Sequence, residues 1–340
     1  MVVKIGAQSL ALLVALTFVN GQYTATYDPN NLPGTTEQGQ TGTNACGTGN
    51  NQTSQCQNLY VNSAEDFCLW GPPDPNSSVG TVEEIVVAYC TTPGRGTRLF
   101  PAGTLISAHF LETPDYIQVT GTGQLTNINI AAGDSGGELD PHGADGFGNP
   151  HGGLVFSNVW SGKTGLGQQI HEWTNFMSDT EYCIRVCKDG PNAAAFCQHI
   201  YDIQGCHFNI PGDYDAGFDD CKGDNVIPMG LYPQPDGSTS TYVNGANPTP
   251  APQPPAATSS CTPLTSSVIY NGAPAATGSA SGSGSVTTAP SGTRSAGGGT
   301  TSSPRSTSSS SPNGAAGFHG APLSLLLSLL AVTISIGFVF

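Results

Sequence analysis

The chain has 340 residues, ten cysteines and a formal net charge of −15. All 24 acidic residues fall between Tyr23 and Asp236, against six of the nine basic ones: Arg95, Arg98, Lys163, Arg185, Lys188 and Lys222. That imbalance argues against nucleic acid and anionic membrane surfaces as partners, and the cysteine usage points to an oxidising, extracellular compartment.

The N-terminus reads as a secretory signal peptide over residues 1–21. Lys4 supplies a basic start, Ile5 to Val19 an apolar run, and Val19 and Gly21 the small residues of a cleavage site. Residues 22–236 are long enough for one globular domain with its own core. Asn51-Gln-Thr and Asn76-Ser-Ser are N-glycosylation acceptors in polar, loop-like sequence.

A Gly-rich stretch, Tyr89 to Trp160, organises the domain. Glu84 to Thr91, Leu105 to Phe110, Tyr116 to Thr120, Leu125 to Ile130 and Leu154 to Trp160 have strand composition and are separated by Gly/Pro turns. Short strands at close spacing predict a mainly β sandwich or barrel. After Gly167, Ile170, Trp173 and Met177 recur at helical spacing, and Ser178-Asp-Thr-Glu181 matches a capping box. These features predict a helix to about Lys188 and a second over Ala193 to Ile203 that buries Phe196, Ile200 and Ile203. Together they would form a disulfide-pinned C-terminal helical hairpin. Cys46, Cys56, Cys68, Cys90, Cys183, Cys187, Cys197, Cys206 and Cys221 are the disulfide candidates, and spacing leaves their connectivity open. Nine cannot all pair, so either Cys261 joins them or one thiol is left over.

Residues 237–312 are mostly Ser, Thr, Gly, Ala and Pro. Such a segment buries too little apolar surface to offset the entropy of ordering. It reads as a disordered, O-glycosylated stalk, the alternative being an unmodified linker. Residues 313–340 have the order of a glycosylphosphatidylinositol (GPI) signal: the small triplet Asn313-Gly-Ala, a spacer, and an apolar tail. Attachment is expected at Asn313. A tail-anchor helix is the competing reading, but no basic residues follow the tail.

Gly133-Asp-Ser-Gly-Gly137 copies the nucleophile signature of chymotrypsin-like proteases, and Ser107-Ala-His109 echoes their histidine motif. The two lie too close in sequence for the two barrels that carry that triad, so GDSGG reads as a turn. The candidate binding surface is the loop from Asp134 to His151. Asp134, Glu138, Asp140 and Asp145 supply the oxygen ligands that Ca²⁺ takes, although no EF-hand spacing is present. His142 and His151, with Asp140 or Asp145, supply a transition-metal set without a defining motif. No cofactor is otherwise expected. Glu112 or Asp115 near Glu138 or Asp140 would suit glycoside chemistry. Tyr60, Trp70, Tyr89, Tyr116 and Trp160 would either stack on sugars or fill the core. The bland account of the loop is a solvated connection whose carboxylates cap turns.

The runs CQNLYVNSAEDFCLWGPP (Cys56 to Pro73), VVAYCTTPGRGTRL, TPDYIQVTGTGQ, GGELDPHGADGFGNPHGG and CQHIYDIQGC resemble the fungal secreted proteins catalogued as macrophage activating glycoproteins. The resemblance covers most of Cys46 to Tyr232. It implies a fungal cell-surface or cell-wall glycoprotein and carries no catalytic residues. The expectation is therefore a non-enzymatic, GPI-anchored surface or wall glycoprotein, joined to the membrane through its lipid alone. The alternative is a secreted glycan-binding or glycan-active module working on wall polysaccharides.

Overall fold

A computed structural model describes residues 24–162, 165–270 and 274. The stretches read from the sequence as a signal peptide (1–21) and as an anchor signal with Asn313 (313–340), and more than half of the one read as a stalk (237–312), lie outside the described residues. The described chain is mainly β. Its largest element is a seven-stranded sheet in the order Thr258–Pro263, Gly217–Gly223, Ser107–Glu112, Tyr116–Thr122, Glu181–Cys187, Glu172–Met177, Gly137–Leu139. Neighbours are antiparallel except Gly217–Gly223, which runs parallel to Ser107–Glu112. The end strands do not pair with each other, so this sheet is open rather than a barrel.

One face of the sheet packs on two three-stranded sheets. These are Asn58–Tyr60 with Leu154–Ser157 and Gln168–Ile170, and Cys68–Gly71 with Val87–Cys90 and Arg98–Leu99. The shared core takes Ile117, Val119, Leu139, Trp173, Tyr182 and Ile184 from the large sheet and Leu59, Trp70, Val87 and Phe156 from the smaller ones. This is a two-layer β arrangement, with the bulk of the apolar area between the layers.

The expected helix over Ser178 to Lys188 is a strand. Glu172–Met177 and Glu181–Cys187 form an antiparallel hairpin in register from Glu172↔Cys187 to Met177↔Tyr182. Tyr182, Ile184 and Val186 enter the core, while Cys183, Arg185 and Cys187 face the other side. Burying Ile184 and Val186 contributes about 1.5–3 kcal/mol each, and a capped helix start only about 1 kcal/mol, so the sheet wins. The capping-box atoms are still used: Ser178 Oγ accepts from the Glu181 N–H at 3.1 Å and closes the hairpin turn. The second expected helix, Ala193 to Ile203, survives only as Ala193–Phe196 and the start of a 3₁₀ turn at Asp202–Gln204, and a separate short helix, Gly205–Asn209, follows where the sequence predicted a stop. Phe196 is buried as expected, but Ile200 and Ile203 are exposed, Ile203 at 71%. Among the described residues no helical hairpin forms. Leu125 to Ile130 also differs, holding a 3₁₀ turn at Leu125–Ile128 that still buries both its ends.

All ten cysteines are paired: Cys46–Cys56, Cys68–Cys90, Cys183–Cys206, Cys187–Cys197 and Cys221–Cys261. Cys261 resolves the odd count by tying Thr258–Pro263 to Gly217–Gly223. The folded chain therefore runs well past Asp236. Ile269 joins the core, and the Tyr270 hydroxyl donates to the Leu105 carbonyl at 2.8 Å.

Candidate functional site

The outer face of the large sheet is covered by the chain from Ala193 to Ile210, held down by Cys187–Cys197 and Cys183–Cys206. The edge strand Gly137–Leu139 alternates beneath this cap. Leu139 points into the core, so Glu138, and Asp140 just beyond the strand, share the outer face. Asp140 opens a loop that Asn149 closes. The Asn149 N–H donates to the Asp140 carbonyl at 3.0 Å, and its side-chain amide donates to the Glu138 carbonyl at 2.8 Å. The Asp140 carboxylate accepts the N–H groups of His142 and Gly143, at 2.5 and 2.9 Å.

The result is a pocket of about 330 Å³ lined by Glu83, Glu138, Asp140, Asn149, His199 and Asp202, among others. Glu138 is 7% exposed, and its Oε1 is buried without a hydrogen-bond partner. Burial pushes its carboxyl well above the ordinary range. The charge of Asp140, a hydrogen bond with it, and the charges of Asp202 and Glu83 push the same way. Glu83 and Asp202 are also raised, by burial first and by Asp140 among their neighbours. These carboxyls thus make a crowded acidic site in which Glu138 favours its neutral form.

His199 lines the pocket, and His142 stacks on it. His142 and His199 stack with ring centres 4.0 Å apart and planes within 7°. Burial pulls His142 down, but the 3.1 Å contact with Glu172 and the charges of Glu172 and Asp140 outweigh it and raise it overall. His199 is lowered by burial and by the neighbouring His142 charge. The two rings are pushed to opposite protonation states, and His199 Nδ1 lies 3.9 Å from the Asp140 carboxylate.

The expected loop surface is divided. Glu138, Asp140 and His142 come together in and beside the pocket. Asp134 does not join them: it accepts from the Ser78 hydroxyl and the Val79 N–H, both at 2.8 Å, at the start of the Val79–Val82 helical turn. Asp145 and His151 lie on the loop's other side beside Glu84. The metal set expected from both histidines with Asp140 or Asp145 is therefore not assembled as one group. GDSGG is structural: Gly136 has φ +102°, and a Cβ there would collide with the Met177 carbonyl. His109 and Ser135 line separate pockets.

The other carboxylates expected for glycoside chemistry are also elsewhere. Glu112 pairs with Lys222 at 2.9 Å, and Asp115 accepts from Asn192 and Asn225. The Glu112 strand is four steps from Gly137–Leu139, roughly 19 Å at the usual strand spacing. Tyr60, Trp70, Tyr89 and Tyr116 are buried and Trp160 half-buried, so the first four are core residues. Asn51 and Asn76 are exposed. Glu83, His199, Asp202 and Glu172 escaped sequence reasoning. His199 and Asp202 lie between Cys197 and Cys206, and only the cystine pairing marks that run as a cap over the sheet.

Among the described residues, no helix is long and apolar enough to cross a membrane. No family model matches the chain, and no solved structure matches it. It is 50% identical over 246 residues to appressorium protein ROW2 of Mycosarcoma maydis, covering 70% of this chain and 82% of that protein. It is 47% identical over 244 residues to appressorium protein ROW1 of the same fungus, covering 71% of this chain and about half, 55%, of ROW1. With half of its aligned residues shared across most of ROW2, the chain belongs to the family of these fungal appressorium proteins.

Proposed function

We propose that this protein is a non-enzymatic glycoprotein displayed on the fungal cell surface, where its acidic pocket binds wall polysaccharide. In this reading the chain is secreted, glycosylated at Asn51 and Asn76, lifted on the Ser/Thr/Pro-rich stalk and held by a GPI anchor at Asn313. The relatives' label points to action at the appressorium. The resemblance to macrophage activating glycoproteins implies the same surface setting, and neither label names a chemistry.

The observation that carries the binding role is Glu138 Oε1, buried without a partner among the carboxyls of Asp140, Glu83 and Asp202. A ligand bearing hydroxyl or ammonium groups would supply the missing donors and relieve the repulsion. With the candidate aromatics mostly buried, recognition would rest on hydrogen bonds and charge rather than stacking. The test is a wall-glycan array probed with the full secreted chain and with a Glu138→Gln/Asp202→Asn variant. Binding of a hydroxyl- or amine-rich wall polymer that drops at least tenfold in the variant is expected. Equal binding by both proteins, or no binding at all, overturns the pocket. Release from intact cells by a phosphatidylinositol-specific phospholipase is expected, and retention with a C-terminal peptide ending at Phe340 removes the anchor.

A further inference from the structure

On the outer side of the same loop, Glu84, Asp145 and His151 each offer a ligand atom, and these atoms lie within 4.8 Å of one another. Glu84 and Asp145 are exposed, whereas His151 is 8% exposed. The imidazole is held by its surroundings. The His151 backbone N–H donates to the Glu84 carbonyl at 3.0 Å. The Phe147 ring meets the imidazole edge-on at 5.8 Å. Gly39 passes so close that a Cβ there would come within 3.0 Å of Nδ1.

So fixed, His151 presents Nε2 to the carboxylates. Nε2 is buried and has no hydrogen-bond partner. The Asp145 carboxylate lies 3.0 Å away, outside hydrogen-bond geometry. A buried ring nitrogen without a hydrogen bond is costly unless something else uses its lone pair. A simple ion pair would be expected to align its N–H with the carboxylate.

We propose that Glu84, Asp145 and His151 form a site for one divalent transition cation of the Zn²⁺ or Mn²⁺ class. One imidazole with two carboxylates suits these ions, whereas Ca²⁺ takes oxygen ligands throughout. Ligand distances of about 2.0–2.2 Å require the atoms to draw somewhat closer than 4.8 Å. The two exposed carboxylates can move to achieve this while His151 stays fixed. Solvent completes the coordination on the exposed side. The cation would tie the Glu83–Ile85 turn to the loop that carries Gly143, Ala144 and Asn149 into the pocket wall. The proposal does not depend on what the pocket binds.

The test uses the full secreted chain, stripped with a chelator and titrated at neutral pH with ZnCl₂, MnCl₂ and CaCl₂ in turn. Calorimetry is expected to give one Zn²⁺ or Mn²⁺ per chain. At a hundredfold excess over Kd, the Tm should rise by about 5–10 °C. Asp145→Asn and Glu84→Gln alter exposed side chains and should fold, yet each should weaken binding at least tenfold. His171→Gln, at the separate His171–Asp189 pair, should bind as the wild type does. The site is overturned if neither Zn²⁺ nor Mn²⁺ gives a saturable shift, if only Ca²⁺ does, or if Asp145→Asn binds as tightly as the wild type.

Discussion

Glu138 is an acid whose folded state holds its proton more tightly than the unfolded chain does. Its stabilising contribution is therefore complete below the unfolded value of 4.5 and is lost as pH rises through the elevated folded value. Above that window the fold carries a buried carboxylate beside Asp140, with Asp202 and Glu83 adding to the repulsion. Glu138→Gln keeps the shape and removes the charge. The variant should melt a few degrees above wild type at pH 7.5 and show no advantage below pH 4.5, as read by paired thermal scans. A variant less stable at pH 7.5 would mean that the ionised carboxylate has a favourable partner there. The same substitution weakens glycan binding in the proposed function, so stability and binding should move in opposite directions. That divergence is what a site maintained for binding at some expense of stability would produce.

At the scale of elements, the site depends on a cap with little regular structure. Its helical pieces are four and five residues long, too short to be stable alone. The Cys187–Cys197 bridge closes a ten-residue separation, worth about 2–3 kcal/mol by loop entropy. A Cys187→Ser/Cys197→Ser variant should lose about that much in a denaturant titration and expose Phe196 and His199. Glycan binding should fall more steeply than stability at native conditions. A variant that keeps full binding would show that the cap does not shape the pocket.

This element also explains what the sequence could and could not reveal. The β class was legible because short runs of strand composition, such as Tyr116 to Thr120, are separated by Gly/Pro turns. The hairpin was not legible, because Cys183 and Cys187 are four apart, a spacing that puts two residues on one face of a helix and of a strand alike. Ser178 and Glu181 make the same local contact in either structure. Glu138 and Asp140 were legible as candidates by their type and their Gly-rich setting, and the structure places both at the acidic pocket. Their partners were not, since Glu83 and Asp202 reach them only through long-range packing. Asp134 has the same composition and setting, yet it caps a helical turn, and nothing local distinguishes the two uses.

At the scale of the whole molecule, the titrating groups combine into a preference for mild acidity. Glu83, Glu138, Asp202 and Asp220 are all raised, with burial the largest cause in each. Each loses stability as pH rises through its folded value. His109 is raised because the Asp215 carbonyl, Asp219 and Asp213 outweigh its burial. His142 follows through Glu172. His171 is raised chiefly by its hydrogen bond to Asp189, against its burial. These three contribute fully below the ordinary 6.5 and lose that contribution as pH climbs past their raised values. Opposing them, His199 is lowered and disfavours acid below 6.5. Asp66 is lowered because Arg95 outweighs its burial, and Asp189 because His171 does so. Stability from these two carboxylates is present above the ordinary 3.8 and is lost only as pH falls through their depressed values. The raised carboxyls and histidines thus favour the acidic side of their folded values, only Asp66 and Asp189 set an acid edge, below about 3.8, and the formal charge of −15 at pH 7 adds self-repulsion on the alkaline side. Thermal scans of the purified protein from pH 3.5 to 8.5 at constant ionic strength should give a maximal Tm between about pH 4 and 6, with a steady decline toward pH 8. The decline should be shallower in Glu138→Gln and shallower again when His109→Gln is added. A Tm that climbs through neutrality to pH 8 would mean that the salt-bridged carboxylates dominate, and would reverse the assignment of the acidic pocket as the pH-sensitive part of the fold.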